Sequence, residues 1–289
     1  MTLAARVEQA LEAAVSLATG PDAPPRLAGA IRYSVFPGGA RVRPQLCLAV
    51  AAACGDDDPD LSDAAAAAIE FLHCASLVHD DLPCFDNADL RRGKASVHAR
   101  YDVPLALLAG DALIVMAFET LGRAGASSPL RLAPLIATVA RGVGAPSGIV
   151  AGQAWESEID PPLDLYHSAK TGALFMAATM AGAVAAGSDA GPWRALGANL
   201  GAAYQVADDL LDAIAHADDC DKPTGRDVAL HRPSAVSAYG MKGAVARLEG
   251  LVKAAVESIP PCAGAKDLRD LVRMQAVRLA PKHLARSAA

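Results

Sequence analysis

The chain has 289 residues, with 26 Lys and Arg against 32 Asp and Glu for a formal charge of −6, and it is 53% apolar but only 4% aromatic. A chain of this length buries a full core without disulfide or metal staples, and abundant Ala and Leu over aromatic and β-branched residues favour helices. The mild acidity excludes a nucleic-acid binder that works through a basic surface, but not a small phosphate-bearing ligand, because a local field can oppose the net charge.

The first apolar stripe, Val7, Leu11, Ala14 and Val15, predicts a helix ended by Gly20 and the PDAPP segment. Arg6, Glu8 and Glu12 interrupt this N-terminal region, which therefore lacks the uncharged core of a secretory signal. Residues 45–54 predict a second helix, closed by GDDDPD. A third runs from about Ser62 to His79, with Ser62 or Asp63 as N-cap and Pro83 just beyond its end. Further helices are predicted over 103–122, 130–142, 146–156, 164–187 and 192–216, and two or three more over 234–284, broken at Pro260 and Pro261. No alternating stretch is long enough for a strand, and there is no Gly/Ser linker, fixed-period repeat or low-complexity tail. The alanine-rich segments 64–68 and 177–186 read as sites of close helix packing. The expectation is a single all-α domain over residues 1–289.

The longest nearly apolar stretch, Leu174 to Gly187, is about fourteen residues, short of the ~20 that a membrane span needs. Six cysteines (Cys47, Cys54, Cys74, Cys84, Cys220 and Cys262) show neither CxxC pairs nor metal-ligand spacing, and four lie in apolar helical surroundings that suit buried reduced thiols. A cytoplasmic protein without a transmembrane segment is expected.

Two acidic clusters interrupt this apolar pattern. In the first, Asp80 and Asp81 end a helix that arrives through Phe71, Leu72, Leu77 and Val78, and Asp86, Asp89, Arg91, Arg92 and Lys94 follow. Carboxylates at a helix C-terminus oppose the macrodipole and need cations. In the second, Asp208 and Asp212 are four apart on one helix face with Asp209 adjacent, which costs a few tenths of a kcal/mol. One such cluster reads most simply as solvated surface. Two, both set in apolar helices and both followed by basic residues, fit Mg²⁺ held by carboxylates and completed by phosphate oxygens, with Lys and Arg taking the remaining charge.

These residues resemble the all-trans polyprenyl diphosphate synthases, and among them the bacterial geranylgeranyl and farnesyl diphosphate synthases. The family's DDxxxxD-xxLRRGK motif matches Asp80 to Lys94, and its FQxxDDxLD motif matches Tyr204 to Asp212, with Tyr for Phe. GGARVRP (38–44), GDAL (110–113), GQ (152–153), KTGALF (170–175) and KPTGRD (222–227) extend the likeness through the chain in the family's order.

The resemblance implies long helices around a deep central cavity, a homodimer, and two Asp motifs facing each other across the cavity mouth. It implies Mg²⁺, three ions with substrate bound, on Asp80, Asp81, Asp86, Asp208, Asp209 and Asp212, with Asp81 and Asp212 the weakest assignments. Arg91, Lys170, Thr171 and Gln205 match contacts to the allylic diphosphate, with Lys222 and Arg226 as helpers. Arg43, His73 and Arg92 match contacts to isopentenyl diphosphate. One departure stands out: where the family reads GGKRxRP, this chain has Ala40. The missing cation weakens that site by roughly 1.5–3 kcal/mol unless Arg41 or another basic neighbour replaces it.

The implied reaction is ionisation of the allylic diphosphate, attack by the isopentenyl double bond, and proton loss to the departing diphosphate. Thr171 and Gln205 would steady the cation, and Asp80, Asp86, Lys170 and Asp208 complete the catalytic set. His79 and His98 are read as structural. Small residues at Ala75 and Ser76, where related farnesyl synthases carry an aromatic at the position of Ala75, imply a longer product, geranylgeranyl diphosphate first. The rival readings are a farnesyl synthase, a class I terpene cyclase and a non-catalytic partner subunit.

Overall fold

The computed structural model describes residues 1–36, 39–217 and 234–279. Gly38, Cys220 and the whole KPTGRD segment (222–227), with Lys222 and Arg226, lie outside them.

Helix α1 (Leu3–Ala18) is capped by the Thr2 hydroxyl, which accepts from the Ala5 amide at 3.3 Å. Its Val7, Leu11 and Val15 are fully buried, each contributing about 1.5–3 kcal/mol of apolar burial. Helix α2 (Pro25–Val35) forms where the sequence pattern predicts none. The PDAPP segment reads as a breaker, yet Pro25 takes a first-turn position, where its missing amide costs nothing and its fixed φ suits a helix. Helix α3 spans Val42–Cys54.

Helix α4 (Pro59–Asp80) begins earlier than predicted. Its N-cap is Asp58, whose carboxylate accepts from the Leu61 amide at 3.2 Å, and Pro59 opens the first turn. Ser62 is instead buried, with its hydroxyl donating to Asp56, and Asp63 pairs with Arg6 at 2.8 Å. A two-residue-per-strand hairpin follows, β1 (Leu90–Arg91) with β2 (Lys94–Ala95). The strands are too short to show alternation in sequence. Their turn, Arg92–Gly93, has positive φ at both residues (53° and 74°), the conformation a tight antiparallel hairpin requires.

The remaining helices are α5 (Val97–Tyr101), α6 (Val103–Ala124), α7 (Pro129–Val143), α8 (Ile149–Trp155), α9 (Leu163–His167), α10 (Ala173–Ala185), α11 (Arg194–Ala217), α12 (Ala235–Glu257) and α13 (Ala265–Leu279). A π-helical turn, Ser168–Gly172, joins α9 to α10. The fold is all-α, with one small hairpin among the described residues.

Contacts divide the chain into two compact units, residues 1–140 with 177–190, and 141–176 with 191 onward. In the first, α4 is the central element, packed by α6, α3 and α1. Its alanine run 65–68 is fully buried, consistent with small side chains that let neighbouring helices approach closely. In the second, Ala203, Val206, Ala207 and Leu210 of α11 pack on Ala235, Ala244 and Leu248 of α12.

Two helical segments, Pro59–Asp80 and Val103–Ser127, are long and apolar enough to cross a membrane, longer than the fourteen-residue stretch at Leu174–Gly187. The first is 78% buried inside the protein, as a core helix is, against 39% for the second.

Candidate active site

In the first unit, α4 delivers Asp80 as its last residue and Asp81 as its C-cap. The chain then folds back: the Asp86 amide donates to the Asp80 carbonyl at 2.9 Å, and the Ala88 amide to the Asp81 carbonyl at 3.1 Å. Carboxylate oxygens of Asp80 and Asp86 thereby come within 4.8 Å of one another, both half-buried. Asp81 turns the other way. It is 2% exposed, and Arg91 from β1 holds it through Nε at 3.0 and 3.2 Å and Nη2 at 2.5 Å, while reaching Asp80 at 3.4 Å. Burial pushes the Asp81 carboxyl above its ordinary value, opposed by the Arg91 guanidinium.

Beside this turn, Arg43 Nη1 lies 3.5 Å from His73 Nε2, and the Arg92 guanidinium lies against Gly39. Burial, reinforced by Arg43 and then Arg92, holds the His73 imidazole well below its usual pKa. It is therefore neutral at pH 7, with a ring nitrogen able to donate a hydrogen bond. Structure thus gathers Arg43, His73 and Arg92, as the sequence suggests. Arg41 does not join them. It is buried, with Glu70 at 2.7 Å, Glu8 at 2.8 Å and the Val35 carbonyl at 2.8 Å, so it cannot stand in for the cation missing at Ala40. His79 Nε2 meets the Leu107 carbonyl at 3.3 Å and His98 Nδ1 meets the Ser96 hydroxyl at 3.0 Å, which fits the structural reading of both.

In the second unit, Lys170 and Thr171 sit in the π-helical turn, a local widening that re-aims side chains. The Thr171 hydroxyl donates to Gln205 Oε1 at 2.7 Å, and Gln205 Nε2 donates to Asp209 at 3.0 Å. The other Asp209 oxygen accepts the Ala235 amide, the first of α12, at 2.6 Å. Asp209 is 6% exposed, while Asp208 and Asp212 on the same helix are exposed. Tyr204, the departure from the family's Phe, keeps an aromatic contact with Phe175, their ring centroids 4.7 Å apart.

Ala75 is buried and Ser76 half-buried on α4, the Ser76 hydroxyl donating to the His73 carbonyl at 2.8 Å. Sequence reasoning missed Glu156. It forms an ion pair with Lys170 and accepts hydrogen bonds from Tyr166 at 2.7 Å and Gln153 at 3.0 Å. The available signal was its place three residues after Gln153 of the GQ pair, close to that residue on a helical turn.

Two part-buried carboxylates within 4.8 Å supply hard oxygen donors of the kind Mg²⁺ takes, leaving the rest of its shell for water and phosphate. The residues present fit that ion, and the neighbouring arginines fit the phosphates.

Comparison with known proteins places these features in a family. The profile of the family described as polyprenyl synthetase matches residues 24–267. The chain is 54% identical over 285 residues to a geranylgeranyl diphosphate synthase of Cereibacter sphaeroides, covering 99% of each chain. It is 52% identical to one of Rhodobacter capsulatus, covering 96% of each. Among solved structures, it is similar to an FPP/GFPP synthase from Zymomonas mobilis, with a TM-score of 0.80, 32% identity and coverage of 95% of this chain and 98% of that one. On matches this extensive, the protein belongs to the polyprenyl synthetase family.

Proposed function

We propose that the protein is a geranylgeranyl diphosphate synthase, joining isopentenyl diphosphate head-to-tail to an allylic diphosphate in trans geometry. The observation that carries this is the carboxylate pair Asp80–Asp86 placed beside the Arg43, His73 and Arg92 cluster. The near-full-length identity with two synthases of that name supports the C20 product, and so do the small residues Ala75 and Ser76.

In this reading Asp80, Asp86, Asp208 and Asp212 hold Mg²⁺, three ions per site with substrate. When bound, Mg²⁺ neutralises the diphosphate and makes it a better leaving group. We assign Asp81 and Asp209 to holding Arg91 and Gln205, because both oxygens of each are already engaged. Lys170, Arg91 and Thr171 take the allylic diphosphate, with Lys222 and Arg226 from outside the described residues. As the C–O bond breaks, the Thr171 and Gln205 dipoles steady the allylic cation. Arg43, Arg92 and neutral His73 orient isopentenyl diphosphate so that its double bond meets that cation. The departing diphosphate takes the proton, so no side-chain base is required.

The remaining expectations belong to the same reading: one catalytic domain over residues 1–289, a cytoplasmic setting in keeping with the free thiols of the described cysteines, and a homodimer. Support for the dimer comes from α6, which exposes Val103, Leu107, Leu108 and Val115. An apolar face of this kind fits a second copy of the chain.

The test is to incubate the purified protein with Mg²⁺, isopentenyl diphosphate and C5, C10 or C15 allylic primers and to resolve products by length. A C20 diphosphate is expected. No condensation with any primer rejects the synthase reading, a C15 end product makes it a farnesyl synthase, and release of cyclic hydrocarbon makes it a terpene cyclase.

A further inference from the structure

We infer that Glu156 is the positioning residue that aims Lys170 at the allylic diphosphate. This rests on the reading that Lys170 binds that diphosphate. Glu156 is the C-cap residue of α8, and its side chain is only 12% exposed. Two neutral donors orient its carboxylate: the hydroxyl of buried Tyr166, at 2.7 Å, and the amide of Gln153, at 3.0 Å. The Lys170 ammonium meets a carboxylate already fixed in place.

The backbone explains why these groups meet. A Cβ on Gly152 would lie 2.3 Å from the Lys170 amide nitrogen and 2.4 Å from its Cα, so only glycine lets α8 press against the π-helical turn at that residue. The helix whose C-cap grips the Lys170 side chain therefore also abuts the Lys170 backbone. Lysine is a point charge on a flexible four-carbon stem. Anchoring the ammonium to Glu156 selects a narrow range of conformations of that stem. Glu156 acts through Lys170 and transfers no proton.

The test compares Glu156→Gln, which keeps the side chain's shape, with Lys170→Met and the double variant. Initial rates are measured against allylic diphosphate and, separately, against Mg²⁺. The expected loss in kcat/KM for the allylic substrate is about 10–100-fold for Glu156→Gln, with most of it recovered in Glu156→Asp. In the Lys170→Met background the same change is expected to cost nothing further. Losses that multiply in the double variant overturn the proposal, as does a raised Mg²⁺ requirement for Glu156→Gln, which would make Glu156 a metal ligand. The ¹⁵N signal of the Lys170 ammonium in the substrate-free protein gives a readout independent of turnover. Restrained in the wild type and averaged in Glu156→Gln, it supports the contact; unchanged, it refutes it. A wild type that condenses no primer would instead fail the functional reading, with the ammonium signal still deciding this one.

Discussion

The two aspartate doublets solve one problem by opposite electrostatic means. In each, one residue is more exposed than its buried neighbour: Asp80 is half-buried and Asp81 is 2% exposed, whereas Asp208 is exposed and Asp209 is 6% exposed. Asp81 caps the C-terminus of α4, where the helix dipole already carries negative partial charge. A full cation is needed there, and Arg91 supplies it with a forked contact. Asp209 lies against the N-terminus of α12, the favourable end, and is satisfied by one backbone amide and one side-chain amide. A repeated DD motif thus conceals a division: in each unit the inner aspartate is buried and tied to its neighbours, and the proposed cation contact falls to the more exposed one.

The sharpest way to break this comparison is to remove the outer residues. Asp80→Ala and Asp208→Ala should each lower condensation by about 10²–10³-fold, the scale of losing one preorganised electrostatic group, while thermal unfolding stays close to wild type. Inner substitutions should do the reverse. Asp81→Ala and Asp209→Ala should each cost about 1.5–3 kcal/mol in urea unfolding, the range for hydrogen bonds to charged groups, with the residual activity keeping its Mg²⁺ half-saturation. If Asp81→Asn raised the Mg²⁺ requirement as much as Asp80→Asn without loss of stability, the division would fail.

Smaller effects test what the first cluster has and the second lacks, a helix floor and a cationic annex. Ala75→Phe places a large ring at a buried site, so a stability cost of about 1–3 kcal/mol is expected together with a shift to C15 product; an unchanged product distribution would remove Ala75 from chain-length control. Ala40→Lys restores a charged contact at an exposed position and should lower the KM for isopentenyl diphosphate about tenfold, the low end of the charged hydrogen-bond range.

The smallest effect is in pH. His73 is depressed in the folded state, so on acidification the unfolded chain takes up a proton there first. Its contribution to stability is present above the ordinary imidazole value of about 6.5 and is lost as pH falls toward the folded value. The fall in unfolding temperature between pH 7 and 5 should be shallower in His73→Asn, and an unaltered slope would show that folding does not depress that imidazole.

Much of this was legible in sequence because it depends on short-range regularities. The helical period exposed the Val7, Leu11 and Val15 stripe, which is fully buried, and the spacing of Asp208 and Asp212 placed them one turn apart. Helix starts were less legible where proline has two readings: Pro25 opens α2 and Pro59 opens α4, although either reads equally well as a breaker. The hairpin 90–95 was hidden because two-residue strands carry no period.

Sequence alone determined the residue inventory, the helical class, and the motif order that marks the family, since these are properties of spacing along one chain. Only the tertiary structure decided which member of each doublet is buried, that Arg41 serves Glu70 and Glu8 rather than the place left by Ala40, and that Glu156 holds Lys170. Those outcomes turn on which charges are desolvated together. Desolvation is set by packing between elements far apart in sequence, and local spacing carries no record of it.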